Sequence, residues 1–95
     1  MNPLPLGRIV ATPGALRELE RAGTSPALLL ARHACGDWGE LDAHDRAANQ
    51  HALEDGGRVL SAYNLPTGTR IWIITESEDD TGVRQSTCIL LPSEY

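Results

Sequence analysis

The sequence has 95 residues, a length typical of a single domain spanning residues 1–95, and a formal net charge of −5. Apolar residues make up 41% and charged residues 22%, and these ordinary globular values argue against disorder over most of the chain. The acidic balance argues against the broad basic surface of a nucleic-acid-binding protein, and no apolar run of about 18 residues indicates a membrane span. The N-terminal stretch lacks the pattern of a signal peptide, so a cytoplasmic location with reduced thiols at Cys35 and Cys88 is expected.

The first half of the chain predicts one strand and three helices. The β-branched run at 7–12 is typical of a strand, and helices are expected at 13–22, 26–34 and 43–54. Thr12 with Pro13, and Ser25 with Pro26, each combine an N-cap residue with proline at the first helical position. Asp42 precedes the third helix as its N-cap.

The second half changes to the alternating pattern of strands. Strands are predicted at 58–64, 70–75 and 86–91, joined by polar turns at 65–69 and 77–82. The resulting order is β-α-α-α-β-β-β. It indicates an α+β fold in which the helices pack on one face of a small antiparallel sheet.

The first hairpin predicts a row of charges at one end of the sheet. If Leu60 faces Ile74, then Arg58 faces Glu76, and Glu76 lies near Arg84 on the following strand. Such a row is either a surface salt-bridge network of little energetic weight or the edge of an anion-binding pocket.

The segment 32–41 supports two interpretations, of which the first is structural. Gly36 would take the left-handed conformation that ends the second helix, and Trp38 would be a buried filler between helices and sheet. His33 lies in the last helical turn, where the helix dipole favours a cation. Asp37 can accept backbone N–H groups in the turn. This interpretation leaves Arg32 without a structural task.

In the second interpretation the same segment is chemical. His33 and Asp37 would form an imidazole–carboxylate pair, which is half of a general-base site. Strand residues such as Thr75 and Cys88 could approach the pair, although the sequence does not place them. The catalytic candidates are His33, Asp37, Ser61, Tyr63 and Glu76.

Metal and cofactor sites are not expected. His44 and His51 lie two turns apart on one helix, which is wider than the usual zinc-ligand spacing, and Cys35 and Cys88 each stand alone in the sequence. The chain also lacks the glycine patterns that bind phosphates or dinucleotides.

Three motifs resemble those of a known family. GDWG at 36–39, WIITE at 72–76 and LLPSEY at 90–95 are similar to segments of small uncharacterised bacterial proteins found on plasmids and integrated mobile elements, sometimes labelled restriction-modification related. The resemblance covers Gly7 to Tyr95, implies an accessory role on a mobile element, and draws attention to polar residues without an evident packing role. The binding candidates are Arg32, Trp38, Asn49, Arg58 and Thr75.

These observations lead to two functional hypotheses. The first is a non-enzymatic accessory protein that binds another macromolecule, most readily a protein. The second is a small hydrolase or nuclease-like enzyme with a polar site built from His33, Asp37, Arg58 and Glu76. Nucleic-acid binding is a poorer third hypothesis, because it needs a local arginine cluster that outweighs the net charge.

Overall fold

The computed structural model describes residues 3–95 and has the predicted element order. The elements are β1 (Arg8–Ala11), α1 (Pro13–Ala22), α2 (Pro26–Ala34), α3 (Ala43–Asp55), β2 (Val59–Asn64), β3 (Arg70–Thr75), β4 (Ser86–Leu90) and a short 3-10 turn, η1 (Pro92–Glu94). All three helices begin at the predicted residue, and only α3 extends one residue beyond its predicted end.

Local capping accounts for the helix boundaries. The Thr12 hydroxyl accepts the N–H of Ala15 at 3.1 Å, and the Asp42 carboxylate accepts the N–H of Asp45 at 2.8 Å. Ser25 occupies the cap position of α2 without forming a side-chain cap bond. Gly36, just beyond α2, has a φ of 86°, which confirms the predicted chain reversal.

The four strands form one sheet in the order β1-β4-β3-β2. The predicted hairpin register is confirmed, since Leu60 pairs with Ile74. The prediction of a wholly antiparallel sheet is wrong, because β1 runs parallel to β4. The connections at 65–69 and 76–85 are too short for the crossover that parallel neighbours need, so β2, β3 and β4 pair antiparallel. Three helices separate β1 from β2 and leave the chain free to return in either direction.

The helices cover one face of the sheet, as predicted. The strand side chains on this face are almost fully buried: Val59, Ser61, Tyr63, Ile71, Ile73, Thr75, Thr87 and Ile89. One apolar cluster joins them to Ala15, Leu19 and Leu29 of the first two helices, and a second joins Val59 to Leu4, Trp38 and Ala52. Trp38 is only 6% exposed, which confirms its predicted burial.

Candidate functional site

His33 lies at the centre of a buried chain of hydrogen bonds between α2 and the sheet. Its Nδ1 is 2.6 Å from Ser61 Oγ and its Nε2 is 2.8 Å from Thr75 Oγ1. Thr75 Oγ1 is 2.7 Å from Thr87 Oγ1, which donates in turn to the carbonyl of Leu6. Three of the predicted polar residues, His33, Ser61 and Thr75, therefore do meet, but they are all completely buried.

The Leu6 carbonyl, at the end of this series of hydrogen bonds, determines which hydroxyl donates to which. The Leu6 carbonyl can only accept, so the Thr87 hydroxyl donates to it and accepts from Thr75. Thr75 must then accept from Nε2–H of His33, and in the neutral ring that burial favours, Nδ1 carries no proton and accepts from the Ser61 hydroxyl. The neutral imidazole therefore carries its proton on Nε2.

Burial keeps this imidazole uncharged. Removal from water lowers the pKa of His33 to about 4, because the charged form loses its hydration without gaining a carboxylate partner. The prediction that the helix dipole would favour a charged His33 is therefore wrong. Loss of hydration in the protein interior therefore affects the pKa of His33 more than its position at the end of a helix does.

The predicted His33–Asp37 pair is also wrong. Asp37 is exposed and forms a two-pronged ion pair with Arg32, with Nε 2.7 Å from Oδ2 and Nη2 3.3 Å from Oδ1. This pairing lowers the pKa of the Asp37 carboxyl. Gly36 turns the chain so that the carboxylate points back along α2 rather than into the core.

Tyr63 completes the corner next to this ion pair. Its hydroxyl donates to the backbone carbonyl of Asp37 at 2.7 Å, and its ring lies 4.6 Å from the guanidinium carbon of Arg32. Burial raises the pKa of Tyr63 to about 12, so the phenol stays protonated as this donor. Arg32, Asp37 and Tyr63 together fix the turn after α2, which is the structural task that the sequence left open for Arg32.

The predicted charge row does not form as a salt-bridge network within residues 3–95. Arg84 is 5% exposed and donates instead to three backbone carbonyls: Ala52 at 3.1 Å, Gly57 at 2.6 Å and Glu76 at 3.0 Å. It thereby ties the C-terminal end of α3 to the sheet, where the carbonyls carry partial negative charge. Arg58 forms no ion pair with Glu76 in the described part of the chain and binds the Tyr95 hydroxyl instead.

Asn49, a predicted binding residue, closes the outer edge of β2. Its side-chain amide donates to the carbonyl of Leu60 at 2.7 Å and accepts the Leu60 N–H at 3.0 Å, as a neighbouring strand would. Further along the edge, the N–H of Ala62 bonds to the carbonyl of Trp38 and the carbonyl of Ala62 accepts the N–H of Glu40. Two of the predicted binding residues, Asn49 and Trp38, are therefore buried structural residues.

Within residues 3–95 no α-helix packs on the second face of the sheet, which we call the open face, although Ala62, Ile74 and Leu90 on it are buried. Strand alternation assigns to it the following strand residues: Arg8, Val10, Leu60, Ala62, Asn64, Arg70, Trp72, Ile74, Ser86, Cys88 and Leu90. Arg58 and Glu76, which directly flank β2 and β3, continue the same alternation. Tyr95 lies against this face, with its ring centroid 5.7 Å from that of Trp72 in an edge-to-face arrangement. Tyr95 itself is 67% exposed to solvent.

The arginines of the open face differ from most others in the chain. Four of the eight arginines are engaged by carboxylates or backbone carbonyls of the protein itself: Arg21, Arg32, Arg46 and Arg84. On the open face, Arg70 donates to the Asn64 side chain, and the Arg58 guanidinium lies 5.2 Å from the centre of the Tyr95 ring. These two cations therefore flank Trp72 and Tyr95, and neither pairs with a carboxylate of residues 3–95.

Trp72, Tyr95 and Arg70 are surface features that were not predicted from the sequence. The signal was available in part, since alternation along β3 places Arg70 and Trp72 together on the face opposite Ile71 and Ile73. Tyr95 had no such signal, because the chain must turn at η1 to bring it back over the sheet.

The remaining candidates form no site. His44 and His51 are exposed, both cysteines are free, and no group of three or more potential metal ligands occurs within residues 3–95. No helix in the described chain has the length and apolar character needed to cross a bilayer. No protein-family model, curated protein or solved structure matches the sequence. The resemblance carried by 36–39, 72–76 and 90–95 therefore remains a prediction.

Proposed function

We propose that this chain is a non-catalytic binding protein that recognises an acidic, partly apolar surface of a protein partner through its open face. The observation that carries this proposal is the group formed by Trp72, Tyr95, Arg58 and Arg70 on the open face of the sheet. An accessory role on a mobile element, as the family resemblance implies, is compatible with such binding.

The composition of this group supports protein recognition. Tryptophan, tyrosine and arginine are the residues most enriched among those that dominate binding energy at protein interfaces. Trp72 is half-buried within the sheet, so much of its conformational entropy is already lost before a partner arrives. The guanidinium forks of Arg58 and Arg70 suit carboxylates on the opposing surface.

A protein partner is favoured over nucleic acid by charge. The chain carries −5 overall, and the open face contributes only Arg8, Arg58 and Arg70 against Glu76. Nucleic-acid affinity depends largely on many phosphate contacts, which this face does not offer. Stacking of bases on Trp72 and Tyr95 would add to the few phosphate contacts that these arginines could make.

The geometry gives less support to the alternative of a hydrolase or nuclease. Ser61 and His33 have the separation of a nucleophile and its base, but neither has any exposed surface. Arg58 and Glu76 lie on the opposite side of the sheet from His33, and Asp37 is engaged by Arg32. The four residues of the predicted polar site therefore do not converge on one pocket.

The proposal can be tested by following the two indole N–H signals in NMR spectra of the isotopically labelled protein. The probes are a random copolymer of glutamate and tyrosine and, separately, a single-stranded oligothymidine of equal charge. We expect the copolymer to shift the Trp72 indole signal and leave that of the buried Trp38 unchanged. Tighter binding of oligothymidine would replace the protein partner with nucleic acid.

Matched arginine variants locate the binding surface. Arg70→Ala should weaken copolymer binding roughly twofold to fivefold, as expected for an exposed ion pair worth up to ~1 kcal/mol. Arg17→Ala removes an exposed arginine from α1 and should leave binding unchanged. Equal effects of the two variants, or shifts confined to the helices, would contradict a role for the open face.

A further inference from the structure

The rest of the described chain covers one edge of the sheet, at β2, and leaves the other edge, at β1, exposed. On β2, the outward-pointing backbone groups of Leu60 and Ala62 are all hydrogen-bonded, by Asn49 and by the Trp38–Glu40 segment. On β1, Ile9 is 49% exposed and Val10 is 41% exposed. An open edge of this kind is a template for pairing with a further strand.

The backbone of β1 shows which groups are available. The N–H groups of Arg8 and Thr12 bond to the carbonyls of Gln85 and Ile89 next to and on β4. Because direction alternates along a strand, the N–H and C=O groups of Ile9 and Ala11 point the other way, toward the open edge. Each molecule therefore presents four backbone groups with the spacing of an antiparallel ladder.

We propose that a second copy of this chain pairs with β1 in antiparallel fashion, joining two four-stranded sheets into one of eight strands. The register that matches every available group places Ile9 opposite Ala11 of the second copy, and Ala11 opposite its Ile9. Val10 then meets Val10 of the second copy at the two-fold axis. The same strand serves both partners, which is the requirement of an isologous interface.

Charge complementarity favours a second copy in this register. Arg8 lies opposite Thr12 of the second copy, and directly opposed side chains point to the same face of a sheet. The Thr12 hydroxyl donates to the Glu94 carboxylate at 2.7 Å, so a negative charge is already anchored at that position. Two-fold symmetry brings each Arg8 toward the Glu94 carboxylate of the other molecule, and it keeps the two Arg8 side chains apart.

Hydrogen bonds hold the Glu94 carboxylate in one position. Glu94 also accepts the N–H of Leu91 at 2.8 Å, and these hydrogen bonds lower the pKa of its carboxyl. Gly14 leaves room for it, since a side chain there would collide with the Glu94 carboxylate. The carboxylate thus stands in place before the second molecule arrives.

The proposal is tested by sedimentation equilibrium of the full chain over a wide range of concentrations. We expect a monomer–dimer equilibrium that added salt weakens, because the two Arg8–Glu94 pairs lie at its rim. Ile9→Pro removes only an outward N–H, and Val10→Lys places like charges opposite each other; each should weaken the dimer at least about tenfold. Arg8→Glu should weaken it and reverse the salt effect, because salt then screens a repulsion between carboxylates rather than an attraction.

Two controls keep the test decisive. Leu28→Lys changes another exposed apolar residue, on α2, and should leave the dimer unaffected. Circular dichroism of each variant confirms folding, and Val10→Lys serves if Ile9→Pro fails to fold. A chain that stays monomeric at all concentrations overturns the proposal, as does a dimer indifferent to both Val10→Lys and Arg8→Glu. Because the copolymer titration reports on Trp72 rather than on β1, either proposal can fail alone.

Discussion

Lowering the pH from neutral should destabilise this protein through the single buried imidazole of His33. In the unfolded chain the imidazole titrates at its ordinary pKa of 6.5, whereas burial lowers the pKa in the folded protein to about 4. At pH values between these two pKa values, His33 is mostly protonated in the unfolded state and mostly neutral in the folded state. Stability is therefore complete above pH 6.5 and declines as the pH falls toward 4.

The magnitude follows from the hydrogen-bond chain and the size of the shift. Protonation would place an N–H on Nδ1, so the Ser61 hydroxyl, 2.6 Å away, would have to rotate its proton away and accept instead. Linkage gives a loss of about 2.5 kcal/mol between about pH 7 and about pH 4.5 for a pKa lowered by this amount. Carboxyls with lowered pKa values, such as those of Asp37 and Asp79, add their own losses at still lower pH.

The assay is urea unfolding at several pH values, with the slope of free energy against urea used to check that the transition stays two-state. His33→Gln provides the non-titrating variant, because an amide can accept from Ser61 and donate to Thr75. Its stability should change little over the same pH window. His51→Gln, which alters an exposed histidine, should retain the wild-type pH dependence.

Two results would refute this reasoning. If His33→Gln loses as much stability on acidification as the wild type, then His33 is not the group that couples folding to pH. If NMR shows that the ring titrates near its ordinary value in the folded protein, then the imidazole is hydrated and the directed hydrogen-bond chain does not exist in solution.

Three further substitutions test the packing that positions the open face. Trp38→Ala should cost about 3 kcal/mol or more of unfolding free energy, as deletion of a buried aromatic does, and a loss below ~1 kcal/mol in denaturant titrations would show that the indole is not packed. Arg84→Met should cost roughly 2–4 kcal/mol, measured in the same way, because it removes three charged hydrogen bonds to backbone carbonyls; a neutral change would mean that water replaces the guanidinium. Asn49→Ala should cost about 1–3 kcal/mol and speed hydrogen exchange of the Leu60 amide, whereas unchanged exchange would show that Asn49 does not close this edge.

Much of the secondary structure was predictable because its signals are local. Thr12 and Asp42 cap helices through atoms three residues away, and Gly36 reverses the chain without help from elsewhere. The β2–β3 register was also predictable, since a short turn leaves few ways to pair two alternating strands. These features depend on neighbours within a few residues, and the sequence specifies those neighbours directly.

The partners of the polar residues were decided only by tertiary packing. His33 meets Ser61 and Thr75, which are 28 and 42 residues away, and not Asp37, which is four residues away. The sequence indicated that these groups were unusual but not which of them would be buried. Desolvation and hydrogen bonding depend on what the fold places around an atom, and that is a property of the packed chain.

The open face and the free β1 edge likewise belong to the tertiary structure. Alternation along β3 separates Arg70 and Trp72 from Ile71 and Ile73, but it does not say which set the helices will cover. The parallel pairing of β1 with β4 joins residues almost eighty positions apart. The sequence by itself determined the helices, the strands and their local turns. Tertiary packing determined which faces and edges of the sheet remain exposed, because burial of apolar surface depends on contacts between residues far apart in the chain.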